Sequence, residues 1–133
     1  MIHMPDQQPQ HMQALAKANR LRLERAALRE WVREPADSIV SRHRLASILD
    51  TDGPVSPCVA RMPVEEFLRL GWNLQYSRVT GCCELAQCQP YRELGRLTDR
   101  QRRVIAGALR MGGEEFREAR HMHSFERQHG IAA

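Results

Sequence analysis

The sequence is poor in the residues that build β-sheets or cross membranes. It has three phenylalanines, two tyrosines and two tryptophans in 133 residues, few β-branched side chains, and no stretch that alternates apolar with polar positions. No apolar run approaches the ~18–20 residues that span a bilayer. The first ten residues lack the charged-then-apolar pattern of a signal peptide. We therefore expect an all-α, soluble, cytoplasmic protein with no membrane partner.

Lysine is almost absent as well. Lys17 is the only one, so arginine supplies nearly all of the 20 basic side chains that outnumber 16 acidic ones and give a net charge of +4. Arginine is suited to bidentate contact with phosphate. A phosphate-bearing partner is favoured, although a GC-rich genome produces the same composition.

The cysteines lack the spacing of a metal site. No C-x2-C pair occurs among the four, and Cys82 and Cys83 recur with Val79 and Ala86 at the i, i+3, i+4, i+7 positions of a buried helical stripe. We interpret them as reduced core residues and predict neither metal nor cofactor.

Helix signals divide the chain into four parts. We expect a disordered N-terminus over residues 1–12, a long basic helix over 13–35 that Pro35 ends, a helical module over 36–111, and a helical extension over 112–133. Within the module, Asp37 and Ser77 are predicted N-caps and residues 51–57 a loop. Pro63 is predicted as the first residue of a helix whose Val64, Phe67 and Leu68 face inward.

The clearest helix start lies near residue 98. Thr98 and Gln101 form a capping box, so a helix should begin at Asp99. Its buried stripe is predicted to be Val104, Ile105, Ala108 and Leu109. Arginines surround this start, and a helix N-terminus with arginines around it is a suitable seat for a phosphate. The alternative is a solvated basic face on a core helix.

The long helix carries a second group of arginines. Arg22, Arg25, Arg29 and Arg33 share one stripe beside an apolar stripe of Leu21, Leu28 and Val32. Such a helix can follow a phosphate backbone. The alternative is an ordinary amphipathic helix with i,i+4 ion pairs, but its glutamates are too few to neutralise the row.

Three segments, in order, resemble the actinobacterial (mycobacterial-type) integration host factor family. Residues 18–29 contain Ala-Asn-Arg-Leu-Arg and Arg-Ala-Ala-Leu-Arg, residues 62–68 read Met-Pro-Val-Glu-Glu-Phe-Leu, and residues 97–102 read Leu-Thr-Asp-Arg-Gln-Arg. The resemblance covers about residues 12–111. It implies a long N-terminal helix packed on a helix–two-turn–helix bundle, and a protein that binds and bends duplex DNA with little sequence preference, compacts the chromosome and supports phage integrases.

The sequence departs from that family at two points. The family's basic Arg-Arg-Leu-Arg run is Arg-Glu-Leu-Gly here, at residues 92–95, and its Gly-x-Gly turn is replaced by residues 72–78, which contain no glycine. The residues that we expect to contact DNA are arginines of the long helix and of the module: Arg22, Arg25, Arg29, Arg78, Arg92, Arg96, Arg100 and Arg103. We therefore predict a divergent, phage-borne member of that family that is monomeric and associates with the nucleoid.

Other interpretations stay open at this point. The chain could bind RNA, or could be a protein-interaction regulator that has lost DNA binding. Trp72 and Tyr76 are predicted core residues, with a DNA wedge as the alternative. His121 and His123 lie near Glu126, but no nucleophile or glycine-rich phosphate loop accompanies them, so we predict solvated histidines and no enzyme.

Overall fold

A computed structural model describes residues 9–130 and shows an all-α fold, as predicted. None of these residues forms a strand; Pro63 and Glu93 form only an isolated bridge. The helices are α1 (Gln10–Arg33), α2 (Ser38–Leu49), α3 (Pro57–Ala60), α4 (Val64–Leu68), α5 (Tyr76–Ala86), α6 (Asp99–Arg110) and α7 (Gly113–Gln128), and a 3₁₀ turn at Leu94–Arg96 precedes α6. Within residues 9–130, no helix has the length and apolarity that crossing a bilayer requires.

The long helix α1 begins earlier than the sequence predicts. The carbonyl of Pro9 accepts hydrogen bonds from the amides of Met12 (2.9 Å) and Gln13 (3.1 Å), so the first helical turn already contains residues 10–12. The predicted disorder is therefore wrong for those residues. The rest of that prediction falls on residues 1–8, outside the described residues. At its other end α1 stops at Arg33, before Pro35, as predicted.

Only the second half of α1 lies against the body. Residues 10–20 are all exposed, whereas Leu21 and Leu28 are half-buried and Val32 is fully buried. The predicted apolar stripe is thus the docking face, and the first half of the helix extends beyond it.

The caps of α2 and α6 form as predicted. Asp37 accepts hydrogen bonds from the amides of Ile39 (2.9 Å) and Val40 (3.0 Å). Thr98 accepts from the amide of Gln101 (3.1 Å), and the Gln101 side chain accepts from the amide of Thr98 (3.0 Å). Both helices begin at the predicted residue because these signals are local.

We expect the change Thr98→Ala to lower the free energy of unfolding by ~1 kcal/mol, because an amide at the start of α6 loses its acceptor. Urea denaturation measures the change. Ser77→Ala is the matched control: Ser77 is exposed and lies inside α5, so its effect should stay within about 0.5 kcal/mol. Equal losses in the two variants would contradict the role of the cap.

The core forms around α6, which packs between α2 and α5. Ile105, Ala108 and Leu109 are buried as predicted, and Val104 is half-buried. Cys82 and Cys83 are buried on the facing side of α5 with Val79 and Ala86. This confirms the interpretation of the adjacent cysteines as packing residues.

Short helical segments complete the bundle and differ from the prediction in detail. Pro57 begins the one-turn helix α3 instead of ending a loop. Pro63 is the N-cap of α4 and not its first residue, while Val64, Phe67 and Leu68 are fully buried as predicted. The predicted cap at Ser77 is wrong: α5 begins at Tyr76, after a Gln75 that makes no side-chain cap.

The aromatic side chains of the turn between α4 and α5 are exposed. Trp72 is 42% exposed and Tyr76 72%, so their prediction as core residues is wrong. The amide of Trp72 donates to Ser41 Oγ (2.8 Å), and Asn73 has a positive φ of 53°, which redirects the chain. The buried space nearby is filled by aliphatic side chains such as Leu45 instead.

Candidate nucleic-acid interface

The exposed face of α1 carries basic side chains without acidic partners. Arg22 and Arg29 are exposed, and neither forms an ion pair with any of residues 9–130. Arg25 differs, because it is half-buried and its Nε donates to the carbonyl of Cys58 at 2.6 Å. Arg33 likewise donates to the carbonyl of Leu70 at 2.8 Å. Two members of the arginine stripe therefore attach α1 to the body while the other two face solvent.

The start of α6 presents a second exposed pair. Arg100 and Arg103 are exposed and form no ion pair within the described part of the chain. Between them, the buried Arg102 donates to Asp99 at 2.6 Å. That hydrogen bond, followed by the charge of Arg102, lowers the pKa of the Asp99 carboxyl. The capping box and Asp99 already occupy part of the helix N-terminus, so the side chains of Arg100 and Arg103 supply most of the attraction for an anion.

The segment at the 3₁₀ turn adds Arg92, which precedes the turn, and Arg96, which is its last residue; the two lie next to each other. Arg92 Nε and Nη2 donate to the carbonyl of Arg96 at 3.4 and 3.3 Å. Arg96 Nε lies 3.5 Å from a carboxylate oxygen of Glu93, and both side chains are exposed. An exposed pair of this kind contributes ~0–1 kcal/mol and leaves Arg96 free to exchange partners. Glu93 stands where the integration host factor family, which the sequence resembles, has an arginine. It therefore reduces the local positive charge but leaves the side chain of Arg96 exposed.

The helix α3 connects these two groups of arginines. It packs against α1 on one side and against the 3₁₀ turn on the other. The contact with α1 includes the Arg25 hydrogen bond, and on the other side a Cβ at Gly95 would lie 3.0 Å from the carbonyl oxygen of Ala60. Since the 3₁₀ turn leads directly into α6, the arginines of α1, of the turn and of the first turn of α6 lie on elements that are linked in series through α3.

Arg78 lies elsewhere. Its Nη1 donates to the carbonyls of Ala108 and Met111, both at 3.0 Å, at the far end of α6. Because α6 has 12 residues, its two ends are ~18 Å apart. The guanidinium also lies 4.0 Å from the centre of the Phe116 ring. The structure therefore does not group Arg78 with Arg100 and Arg103.

No protein-family model, curated protein or solved structure matches this chain. The resemblance to integration host factors rests on the three sequence segments alone and stays a prediction.

Sequence reasoning missed several exposed basic residues of the same region. Lys17 and Arg20 lie on the exposed first half of α1, and Arg61 is the exposed C-cap of α3. The α1 residues could have been found from the absence of acidic residues over positions 10–23. Arg61 could not, because the sequence did not predict α3.

The chemistry-bearing residues of α5 and α7 form no metal site. Within residues 9–130, no group of three or more histidine, cysteine, aspartate or glutamate side chains could hold a metal ion. His121 is exposed as predicted, but the prediction for His123 is wrong, because it is only 9% exposed. It follows Phe116 and Arg120 at i, i+4, i+7 on the face of α7 that packs on α5.

Proposed function

We propose that this protein binds and bends duplex DNA with little sequence preference, as an integration-host-factor-like, nucleoid-associated protein. The observation that carries the proposal is a set of exposed cations that form no ion pair within residues 9–130, on two elements that α3 and the 3₁₀ turn link, α1 and the start of α6. Sequence-independent contact with DNA requires such cations and no base-reading groups.

The interface that we propose consists of exposed side chains from α1, from the segment around the 3₁₀ turn and from α6, namely Arg22, Arg29, Arg92, Arg96, Arg100 and Arg103. Arg25 positions α1 in this scheme, since its Nε is already hydrogen-bonded to the body. The exposed first half of α1, with Lys17 and Arg20, lengthens the track that a phosphate backbone can follow.

Bending follows from having contacts on more than one element. A straight duplex that reaches only one group of arginines gains fewer phosphate contacts than a curved one that reaches both. A bend of 40–90° over a site costs ~1–6 kcal/mol, and added charge-assisted contacts can offset that cost. A role in DNA compaction or in phage site-specific recombination, beside an integrase, would use this bend.

The salt dependence of binding tests the electrostatic mechanism. If about five phosphates are neutralised, the logarithm of the binding constant should fall with the logarithm of salt concentration at a slope of about −4 to −5. Titrations on mixed-sequence duplex DNA between 50 and 200 mM salt measure it, and circularly permuted fragments on the same gels report the bend. A slope near zero, or no shift at low salt, would overturn the proposal.

Structured RNA in the same titration addresses the main alternative. A DNA-bending protein should prefer the duplex DNA when both compete at equal phosphate concentration. Preference for the RNA would instead favour the RNA-binding interpretation, and binding to neither would favour a protein-interaction role.

A further inference from the structure

A polar cavity of about 350 Å³ lies at the C-terminal end of α6, between the first turns of α2, α5 and α7. Three arginines line it, one from each of those helices: Arg42, Arg78 and Arg117. No carboxylate among residues 9–130 lines it, and the other polar groups come from Ser38 and from the residues before and within α5. A cavity of this size is within the range of small-ligand sites, and its charge is of one sign.

The positive charge exceeds what the protein neutralises. Arg42 Nη1 donates to the carbonyls of Leu109 (2.9 Å) and Met111 (2.5 Å), and Arg78 Nη1 donates to Ala108 and Met111. These carbonyls end α6, and a helix C-terminus carries about half a negative charge. The guanidiniums of Arg42 and Arg78 together carry two positive charges, and the end of α6 offers only about half a negative charge. Most of the positive charge of the two arginines is therefore not neutralised by the helix end.

Arg42 also has donors that the protein does not use. The residue as a whole is nine-tenths buried, but its Nε and Nη2 are solvent-accessible atoms and have no hydrogen-bond partner among residues 9–130. Because Arg42 lines the cavity, these two groups are available to donate to an anion bound there. Burial, followed by the nearby charge of Arg42, lowers the pKa of the Arg78 guanidinium. Both arginines are thus in a site that an anion would stabilise.

The surrounding backbone favours an anion too. In the part of the chain that the structure describes, no side chain caps the N-terminus of α5 or of α7, so amides of their first turns have no side-chain acceptor there. The carboxylates near these helix starts do not neutralise the arginines of the cavity. Asp37 caps α2, and Glu114 and Glu115 are exposed and do not line the cavity. Arg117, exposed on α7, completes the cationic wall.

We propose that this cavity binds the phosphoryl group of a ligand, with Arg42, Arg78 and Arg117 as its cationic contacts. The site is separate from the proposed DNA interface, about 18 Å away at the other end of α6, and it gives Arg78 a role other than the DNA contact that the sequence predicts. Free phosphate or a small phosphate ester, and a backbone phosphate of DNA, are the two sources of this chemistry.

Titration of the ¹⁵N-labelled protein with inorganic phosphate, at constant ionic strength against chloride, tests the site. We expect saturable shifts of the backbone amides of Asn73, Gln75, Ser77 and Gly113, which belong to the cavity wall. Arg117→Glu should raise the dissociation constant at least about threefold, because a cation next to the anion becomes a carboxylate. Arg117 is exposed, so this variant should fold.

Arg127→Glu is the matched control, since Arg127 is also exposed on α7 but does not line this cavity. It should leave phosphate binding unchanged. Shifts that do not saturate, or equal weakening in the two variants, would overturn the proposal, because they would reflect net charge alone.

A duplex without terminal phosphates distinguishes the sources. If it shifts the same amides and displaces phosphate, the DNA backbone supplies the phosphoryl group. If phosphate binds equally well in its presence, the ligand is a free phosphate or a small ester. The inorganic phosphate titration itself does not depend on DNA binding, so it decides the site even if the protein proves not to bind DNA.

Discussion

A variant in which Arg100 and Arg103 are both glutamine is expected to bind mixed-sequence duplex DNA about 100-fold more weakly than the unmodified protein. Both side chains lie exposed at the start of α6 and form no ion pair with any described residue. Each would make a charge-assisted hydrogen bond to a phosphate, worth ~1.5–3 kcal/mol, and ~1.4 kcal/mol corresponds to a tenfold change in affinity. Fluorescence anisotropy at low salt measures the loss.

The salt slope gives a second measure of the same variant. Removing two phosphate contacts should make the slope less steep by about two. The matched control changes Arg69 and Arg127 to glutamine, because both are exposed, lie outside the predicted interface and lower the net charge equally. Control binding within a few-fold of the unmodified protein is expected. Comparable loss in the two double variants would show that net charge, and not this interface, determines binding.

Local signals were predicted accurately from the sequence. The capping box at Thr98, the cap at Asp37 and the buried stripe around Cys82 depend on residues within one or two turns of each other. The all-α class follows from the same signals. Ser77 shows the limit of such reasoning, because a capping residue type at a plausible place lies inside α5.

The errors arise where distant segments decide the outcome. Trp72 is exposed because its turn is held by Ser41, 31 residues away in the sequence, and redirected at Asn73. His123 is buried because α7 packs on α5, a contact between separate segments that the sequence did not predict. A single-sequence pattern contains no information about such partners, so exposure in turns and in terminal helices is the least predictable property.

The arginines of the candidate site also divide into those whose exposure follows from local sequence and those whose contacts depend on distant segments. Exposure of Arg22 and Arg29 follows from their position on the polar face of α1. Nothing in the sequence indicates that Arg25 donates to a carbonyl 33 residues away or that Arg78 reaches the end of α6, 30 and 33 residues away. Arginine is equally suited to phosphates and to helix C-termini, so residue type cannot separate these roles.

Gly81→Ala is expected to release α7 from the body, although alanine is ordinarily the better helix former. A Cβ built on Gly81 would overlap the Phe116 ring and lie 2.7 Å from Arg120 Cδ. The flexible arginine can move aside, but Phe116 is only 4% exposed and stands over the Arg78 guanidinium at 4.0 Å. Removing a buried phenylalanine from its site costs ~3–5 kcal/mol, which is the upper limit of the expected loss.

Hydrogen exchange measures the release, because α7 amides should lose protection while those of α2 and α6 keep it. Gly107→Ala is the control: a Cβ there has nothing within 4 Å, so alanine should stabilise α6 by about 0.5–1 kcal/mol. The packing of Phe116 on Gly81 would be contradicted if the Gly81→Ala variant had the same free energy of unfolding as the Gly107→Ala variant and if the amides of α7 kept their protection from exchange. Since Phe116 and Arg117 both line the cavity at the C-terminal end of α6, release of α7 should also abolish the phosphate binding that we propose there, whereas the arginines of α1 and of the first turn of α6 would keep their places.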